Sequence, residues 1–160
     1  MSPVRIHIDL GRQRLLLDMG PKRVTYGVST SRYGAGEKNG SQRTPRGAHV
    51  VRARIGDGVP AGTVFVGRRS TGEICTPELY AAAPERDWIL TRILWLSGTE
   101  PGRNRLGDVD TMRRYIYIHG CPEEVPLGVP GSHGCVRMRN ADLIELFDRV
   151  PVGTPVMIEE

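Results

Sequence analysis

Apolar and polar side chains alternate over several short stretches of this chain, the period of a half-buried strand. Val4-Arg5-Ile6-His7-Ile8-Asp9 and Arg14-Leu15-Leu16-Leu17-Asp18 read as a hairpin turning around Gly11, and Lys22-Arg23-Val24-Thr25-Tyr26-Gly27-Val28 as a third strand. Further strands are expected at residues 47–55, at 88–96, at Tyr115-Ile116-Tyr117-Ile118-His119, and at 155–159 after the turn Pro151-Val152-Gly153-Thr154. The pattern changes to a helical period only once. Leu143, Ile144, Leu146, Phe147 and Val150 fall on one helix face, with Asn140 as the expected N-cap and Asp142 at the positive end of the dipole. Residues 31–40 and 98–111, rich in glycine and polar groups, are expected as loops, the second as a mobile flap near a site.

The prediction is therefore a mainly β fold with one or two helices. The 160 residues are read as one domain, since no repeat, linker or low-complexity tract divides them and the length suffices for a real core. A hydrophobic fraction of 39% and a charged fraction of 25% are those of an ordinary globular protein. The formal net charge is +4, but the basic residues are mostly arginines spread among 18 acidic ones. Pairs such as Arg68-Arg69 and Arg113-Arg114 lack interleaved aromatic residues. A solvated basic surface that favours carboxylate-rich substrates explains this better than a nucleic-acid partner does. Neither a membrane span nor a signal peptide is evident, and the first residues already alternate like a strand. A cytoplasmic location is expected on that basis, or a periplasmic one if an export signal has been removed.

Chemistry concentrates at Ser132-His133-Gly134-Cys135-Val136-Arg137-Met138, with His119-Gly120 ending an alternating run sixteen positions before the cysteine. A thiol near its ordinary pKa is mostly protonated at neutral pH, so a cysteine nucleophile needs a base beside it, and His119 or His133 can serve. Gly134 leaves room for a carbonyl to approach, and the backbone N–H groups around Gly134 and Cys135 could stabilise the oxyanion formed on attack. Arg137 can grip a substrate carboxylate through its two-pronged donor geometry. The pattern suggests acyl transfer through a thioester.

These residues resemble the active-site motif of the YkuD, or L,D-transpeptidase, catalytic domain. Upstream, Tyr26-Gly27-Val28-Ser29-Thr30 and Gly40-Ser41-Gln42-Arg43-Thr44-Pro45-Arg46-Gly47 match the serine-threonine segment and the Thr-Pro-x-Gly turn of that family in the same order, so that the resemblance runs from about Arg5 to Ile158. It implies a YkuD-like β-sandwich or barrel whose main helix follows the cysteine loop. It also implies cleavage of the bond between a peptidoglycan diamino acid and the D-alanine at position four of a stem peptide. Cys135 would be the nucleophile and His119 the base, oriented by a main-chain carbonyl, with His133 and Gly134 shaping the catalytic loop. Ser132, Gly120, Tyr26, Arg92 and Arg137 would contact substrate, and Ser31 and Arg46 are further groove candidates. Carbapenems, which acylate this family's cysteine, are expected as covalent inhibitors, and no cofactor is expected.

An amine acceptor from a second stem peptide would give a 3→3 cross-link, and water would give an L,D-carboxypeptidase. With no export signal in view, hydrolysis of recycled muropeptides is expected, with exported transpeptidation as the alternative. A non-catalytic wall-binding module is a third reading. The odd number of cysteines argues against a complete disulfide framework. Cys75 is expected to be inert. Cys121, two residues after His119, is expected either to pack against the loop or to act as a redox partner of Cys135. The spacing of His119, Cys121, His133 and Cys135 does not suit structural zinc, so no metal is expected. His7 and His49 are expected as ordinary surface or packed histidines.

Overall fold

The computed structural model describes residues 4–160. Strand β1, Arg5–Asp9, turns Ile6 and Ile8 inward, and β2, Arg14–Asp18, does the same with Leu15 and Leu17. The two pair antiparallel as the expected hairpin. Strand β3, Arg23–Ser29, follows antiparallel to β2, and β4 runs over Gly47–Ile55. The next three elements have no counterpart in the sequence pattern: the antiparallel pair β5 (Thr63–Val66) and β6 (Arg69–Ile74) and the short helix α1 (Pro77–Ala82). Strands β7 (Ile89–Gly98), β8 (Tyr117–Gly120) and β9 (Val136–Met138), helix α2 (Asn140–Arg149) and β10 (Pro155–Glu159) complete the described chain.

The ten strands form one sheet in the order β4-β10-β1-β2-β3-β9-β8-β7-β5-β6. An additional β4–β7 pairing joins Val51 to Leu96 and closes the eight strands from β4 to β7 into a barrel, with β5 and β6 extending from β7. The mainly β expectation is confirmed: among the described residues ten strands stand against two α-helices. Two pairings are parallel, β1 with β10 and β8 with β9. A parallel pair leaves no hairpin signal because its strands are joined by a long crossover. Strand β9 escaped notice for that reason and for its length of three residues.

Helix α2 lays Leu143, Leu146 and Phe147 into the cluster formed by Ile6, Ile8, Leu15, Leu17, Ile118 and Val136. Each fully buried side chain of this size contributes roughly 1.5–3 kcal/mol of transfer free energy. The helix starts directly after β9, so its packing holds the end of the cysteine loop. Its N-cap is Arg139, which makes no side-chain capping bond. Asn140, the expected N-cap, is the first helical residue, and its amide is used elsewhere. The expected flap at 98–111 is tied down: Asn104 is fully buried and donates to the Arg46 and Ala48 carbonyls. Its Glu100 and Arg103 line a cleft with Arg46 and Glu160, separate from the cysteine site.

Candidate active site

Strand parity places the chemistry. In the parallel β8–β9 pair, Ile118 faces Val136, His119 faces Arg137, and Gly120 faces Met138. Ile118, Val136 and Met138 are all fully buried on the core face. Successive side chains alternate, so His119 and Arg137 share the opposite face, and one step back in register sets Cys135 beside Tyr117 on that same face. The hydrogen bonds agree. The Tyr117 N–H donates to Cys135 Sγ at 3.3 Å, and the thiol donates to the Tyr115 carbonyl at 3.3 Å.

The loop before Cys135 is built by its small residues. Ser132 Oγ donates to the Cys135 carbonyl at 2.6 Å and accepts the Gly134 N–H at 3.2 Å, which closes the turn on itself. Gly134 has φ +130°, in the region that favours glycine, and a Cβ there would press on Ile116 and on the Arg43 carbonyl. The upstream motifs grip this loop. Thr44 Oγ1 accepts the Ser31 N–H at 3.0 Å and donates to the Gly134 carbonyl at 2.9 Å, while the Thr30 carbonyl accepts the N–H groups of Gly131 and Ser132. With the Gly134 N–H committed to Ser132, the Cys135 N–H is the better oxyanion candidate, since among the described residues it has no acceptor.

His119 is buried, and its Nδ1 lies 2.6 Å from the Gly120 carbonyl. A carbonyl only accepts, so the proton sits on Nδ1 and Nε2 keeps its lone pair. Burial pushes the imidazole down to about 4, with the carbonyl contact partly opposing it. Burial likewise pushes the Cys135 thiol up to about 12, offset in part by the Tyr117 N–H. At neutral pH the resting pair is therefore neutral imidazole and neutral thiol rather than an ion pair.

Both groups line a cleft of about 330 Å³ together with Arg68, Asp87, Arg114 and Arg137. A second lobe of about 460 Å³ adjoins it, with Asp87, His133 and Arg137 common to both. His133 is exposed at this junction with its ring 6.2 Å from that of Tyr33, whereas His119 is the histidine on the Cys135 face. Three site residues escaped the sequence reading. Arg114 donates to the Gly36 and Arg43 carbonyls, and Arg68 stacks over Trp95 and Tyr115 and donates to the Tyr117 hydroxyl at 3.0 Å. Both belong to arginine pairs read as solvated surface, and nothing in the sequence tells which member of each pair turns toward the cleft. Asp87, an exposed aspartate before β7, carried no signal at all.

Several expected substrate contacts lie elsewhere. Tyr26 is buried in the core, where its hydroxyl donates to Glu145 of α2 at 2.7 Å. Arg92 is buried and donates to the Val59 and Thr91 carbonyls, so it serves the scaffold. Gly120 faces Asn140 and not the cleft, whereas Ser132 lines the cleft and its hydroxyl also organises the turn. Arg46 pairs with Glu37 and Glu160 at a different cleft, and Ser31 donates to the Gln42 carbonyl. Cys121 is buried and donates to the Met138 carbonyl. Since Gly120 pairs with Met138, Cys121 lies four positions along from Tyr117, roughly 13 Å, which exceeds disulfide reach to Cys135. That removes the redox pairing and leaves the packing role. His49 is packed, bonded to the Gly47 carbonyl and Thr111 Oγ1.

Comparison with known proteins agrees with this fold. The model of the L,D-transpeptidase catalytic domain, YkuD, matches residues 3–158. YbiS of Escherichia coli (strain K12), which carries the name of an L,D-transpeptidase, is 51% identical over 43 residues, 27% of this chain and 14% of YbiS. L,D-transpeptidase 3 from Mycobacterium tuberculosis, solved with a faropenem-derived adduct, superposes with a TM-score of 0.62 at 15% identity over 99% of this chain and 61% of its own. An L,D-transpeptidase from Xylanimonas cellulosilytica gives 0.53 at 22% identity, over 99% and 61%. The chain thus spans about three fifths of the solved structures it resembles, and at these identities they show a shared fold. With the family model covering nearly every residue, the chain belongs to the YkuD family of L,D-transpeptidase catalytic domains.

Proposed function

We propose that this protein cleaves the bond between the L-centre of a peptidoglycan diamino acid and D-alanine, forming a thioester on Cys135. The observation that carries this reading is the placement of Cys135 and His119 on one sheet face in one cleft, with the Nε2 lone pair of His119 left available by the Nδ1 bond to Gly120. As the substrate carbonyl carbon meets sulfur, the thiol proton passes to Nε2 and the S–C bond forms. The Cys135 N–H is placed to donate to the resulting oxyanion. The oxyanion then collapses, the C–N bond breaks, the imidazolium returns its proton to the departing amine, and D-alanine leaves. The acceptor next gives a proton to His119 and attacks the thioester carbonyl. The S–C bond breaks and the thiol is restored. Arg137, on the cleft wall beside His119, suits the D-alanine carboxylate.

The second lobe, which meets the first at Asp87, His133 and Arg137, gives room for a second peptide, and the Asp87 carboxylate can accept an N–H from its neutral amine and orient it. That favours an amine acceptor and a 3→3 cross-link. Hydrolysis, the sequence expectation, is the second reading, favoured by the exposure of His133 and Asp87 at the mouth, where water reaches the thioester. Each reading implies a location: recycled muropeptides in the cytoplasm for hydrolysis, and assembled wall outside it for cross-linking. Incubation with disaccharide tetrapeptide, followed by mass analysis, decides between them. A 3→3 dimer supports transfer, tripeptide plus D-alanine alone supports hydrolysis, and unchanged substrate with an intact thiol overturns both.

A further inference from the structure

Strand β7 is irregular at one place, and that place lies against the histidine. Leu90 pairs with Gly120 and Ile93 with His119, so two residues of β7, Thr91 and Arg92, stand opposite a single step of β8. Bulges of this kind re-aim side chains and occur beside active sites. Thr91 is fully buried with φ 78°, a conformation that costs a β-branched residue strain. The distortion is held from behind by Arg92, whose Nη1 donates to the Thr91 carbonyl at 2.7 Å and the Val59 carbonyl at 2.8 Å.

The strain turns the Thr91 hydroxyl to a specific partner. Thr91 Oγ1 accepts the Gly62 N–H at 2.9 Å and donates to Asn140 Oδ1 at 2.6 Å. The Asn140 amide spends both its protons, on the Cys121 carbonyl at 2.9 Å and on Glu123 Oε2 at 2.7 Å, which fixes its orientation. Gly120 has no Cβ, and Asn140 Oδ1, the Leu90 carbonyl and Thr91 Oγ1 occupy the space one would need. Asn140 is thus packed against Gly120 and bonded to the carbonyl that follows it. The Gly120 carbonyl, one peptide away, is the acceptor that holds His119 Nδ1.

We propose that the Thr91–Asn140 pair is a positioning device that fixes the Gly120 carbonyl, and through it the tautomer and angle of His119. Neither residue touches substrate. The proposal rests on His119 acting as the base for Cys135, and it accounts for a strained threonine and an asparagine that forgoes its capping role.

The full chain tests it by two readouts, the alkylation rate of Cys135 by iodoacetamide at pH 7, located by peptide mass, and the protonated nitrogen of His119 by 15N–1H correlation. Thr91→Val removes the hydroxyl and keeps the branched shape, whereas Thr91→Ser keeps the hydroxyl. Wild type and T91S are expected to show a proton on Nδ1 alone and alkylation rates within about twofold. T91V is expected to show a second tautomer protonated at Nε2 and alkylation slower by about tenfold, the direction known for wrong-tautomer histidines. Should T91V not fold, Thr91→Gly replaces it, because glycine adopts φ 78° freely. T91V or T91G with one tautomer and the wild-type rate overturns the proposal. His119→Gln separates the underlying reading: if it leaves alkylation unchanged, the base assignment itself is wrong and the positioning role falls with it.

Discussion

The hydroxyl of Thr44 donates to the carbonyl of Gly134 across 2.9 Å and joins positions 90 apart in the chain. This bond, with the Ser31 N–H donated back to the same oxygen, ties the Thr-Pro-Arg-Gly turn to the loop that carries Cys135. Thr44→Val preserves the shape and leaves a buried N–H and a buried carbonyl unpaired, at about 1–3 kcal/mol each. A thermal melt should show a clear fall in Tm, and turnover of tetrapeptide should fall further than the remaining folded fraction explains. An unchanged Tm would mean that the two motifs are not coupled through this bond.

The neutral resting pair predicts an unusual acid limb. His119 works as a base only when deprotonated, and burial holds its proton off until the pH falls to about 4. The profile of kcat/KM should stay level from pH 7 down through 6 and decline toward about 4. A histidine at its ordinary value near 6.5 would give half-maximal rate there instead. Finding the limb near 6.5 would contradict the assignment of the catalytic base to buried His119.

Much of the barrel was legible because its strands present one buried face. Ile6 and Ile8, Leu15 and Leu17, and Leu143 with Phe147 follow the two simple periods, and all six are fully buried or nearly so. The pairings were not legible, since parallel contacts between β8 and β9 depend on a crossover that local sequence does not encode. The same limit governed the site. Cys135, His119 and the Thr44 turn could be read from residue type and order. The groove-lining expectation for Tyr26 fails on parity, since Tyr26 shares the inward face of its strand with Val28. Arg68 and Arg114 gained their meaning only from the fold, which set one member of each arginine pair against the cleft. Asn140 was read for its capping ability, and the partner that claims it, Thr91, is brought there by a bulge that no alternation reveals.

Acid should destabilise the protein through its buried histidines. Burial lowers His49 to about 4, as it does His119, against an unfolded value near 6.5. Between those values the unfolded chain binds more protons, so stability is full above about 6.5 and is lost as pH falls toward 4. Each histidine contributes up to roughly 3 kcal/mol of this loss. His49→Gln should remove about half of the difference in unfolding free energy between pH 7 and pH 4.5 that histidines cause, measured by urea denaturation. A variant with the same pH dependence as wild type would show that His49 is not held neutral.

The proposed chemistry requires a covalent bond between an acyl group and one sulfur. Intact-protein mass after mixing with faropenem or a carbapenem, followed by peptide mapping, reads that bond directly. The prediction is a single stoichiometric adduct on Cys135, absent from Cys135→Ala, with Cys75 and Cys121 unmodified. An adduct on another residue, or an unmodified Cys135 in a protein that still turns over tetrapeptide, would contradict it.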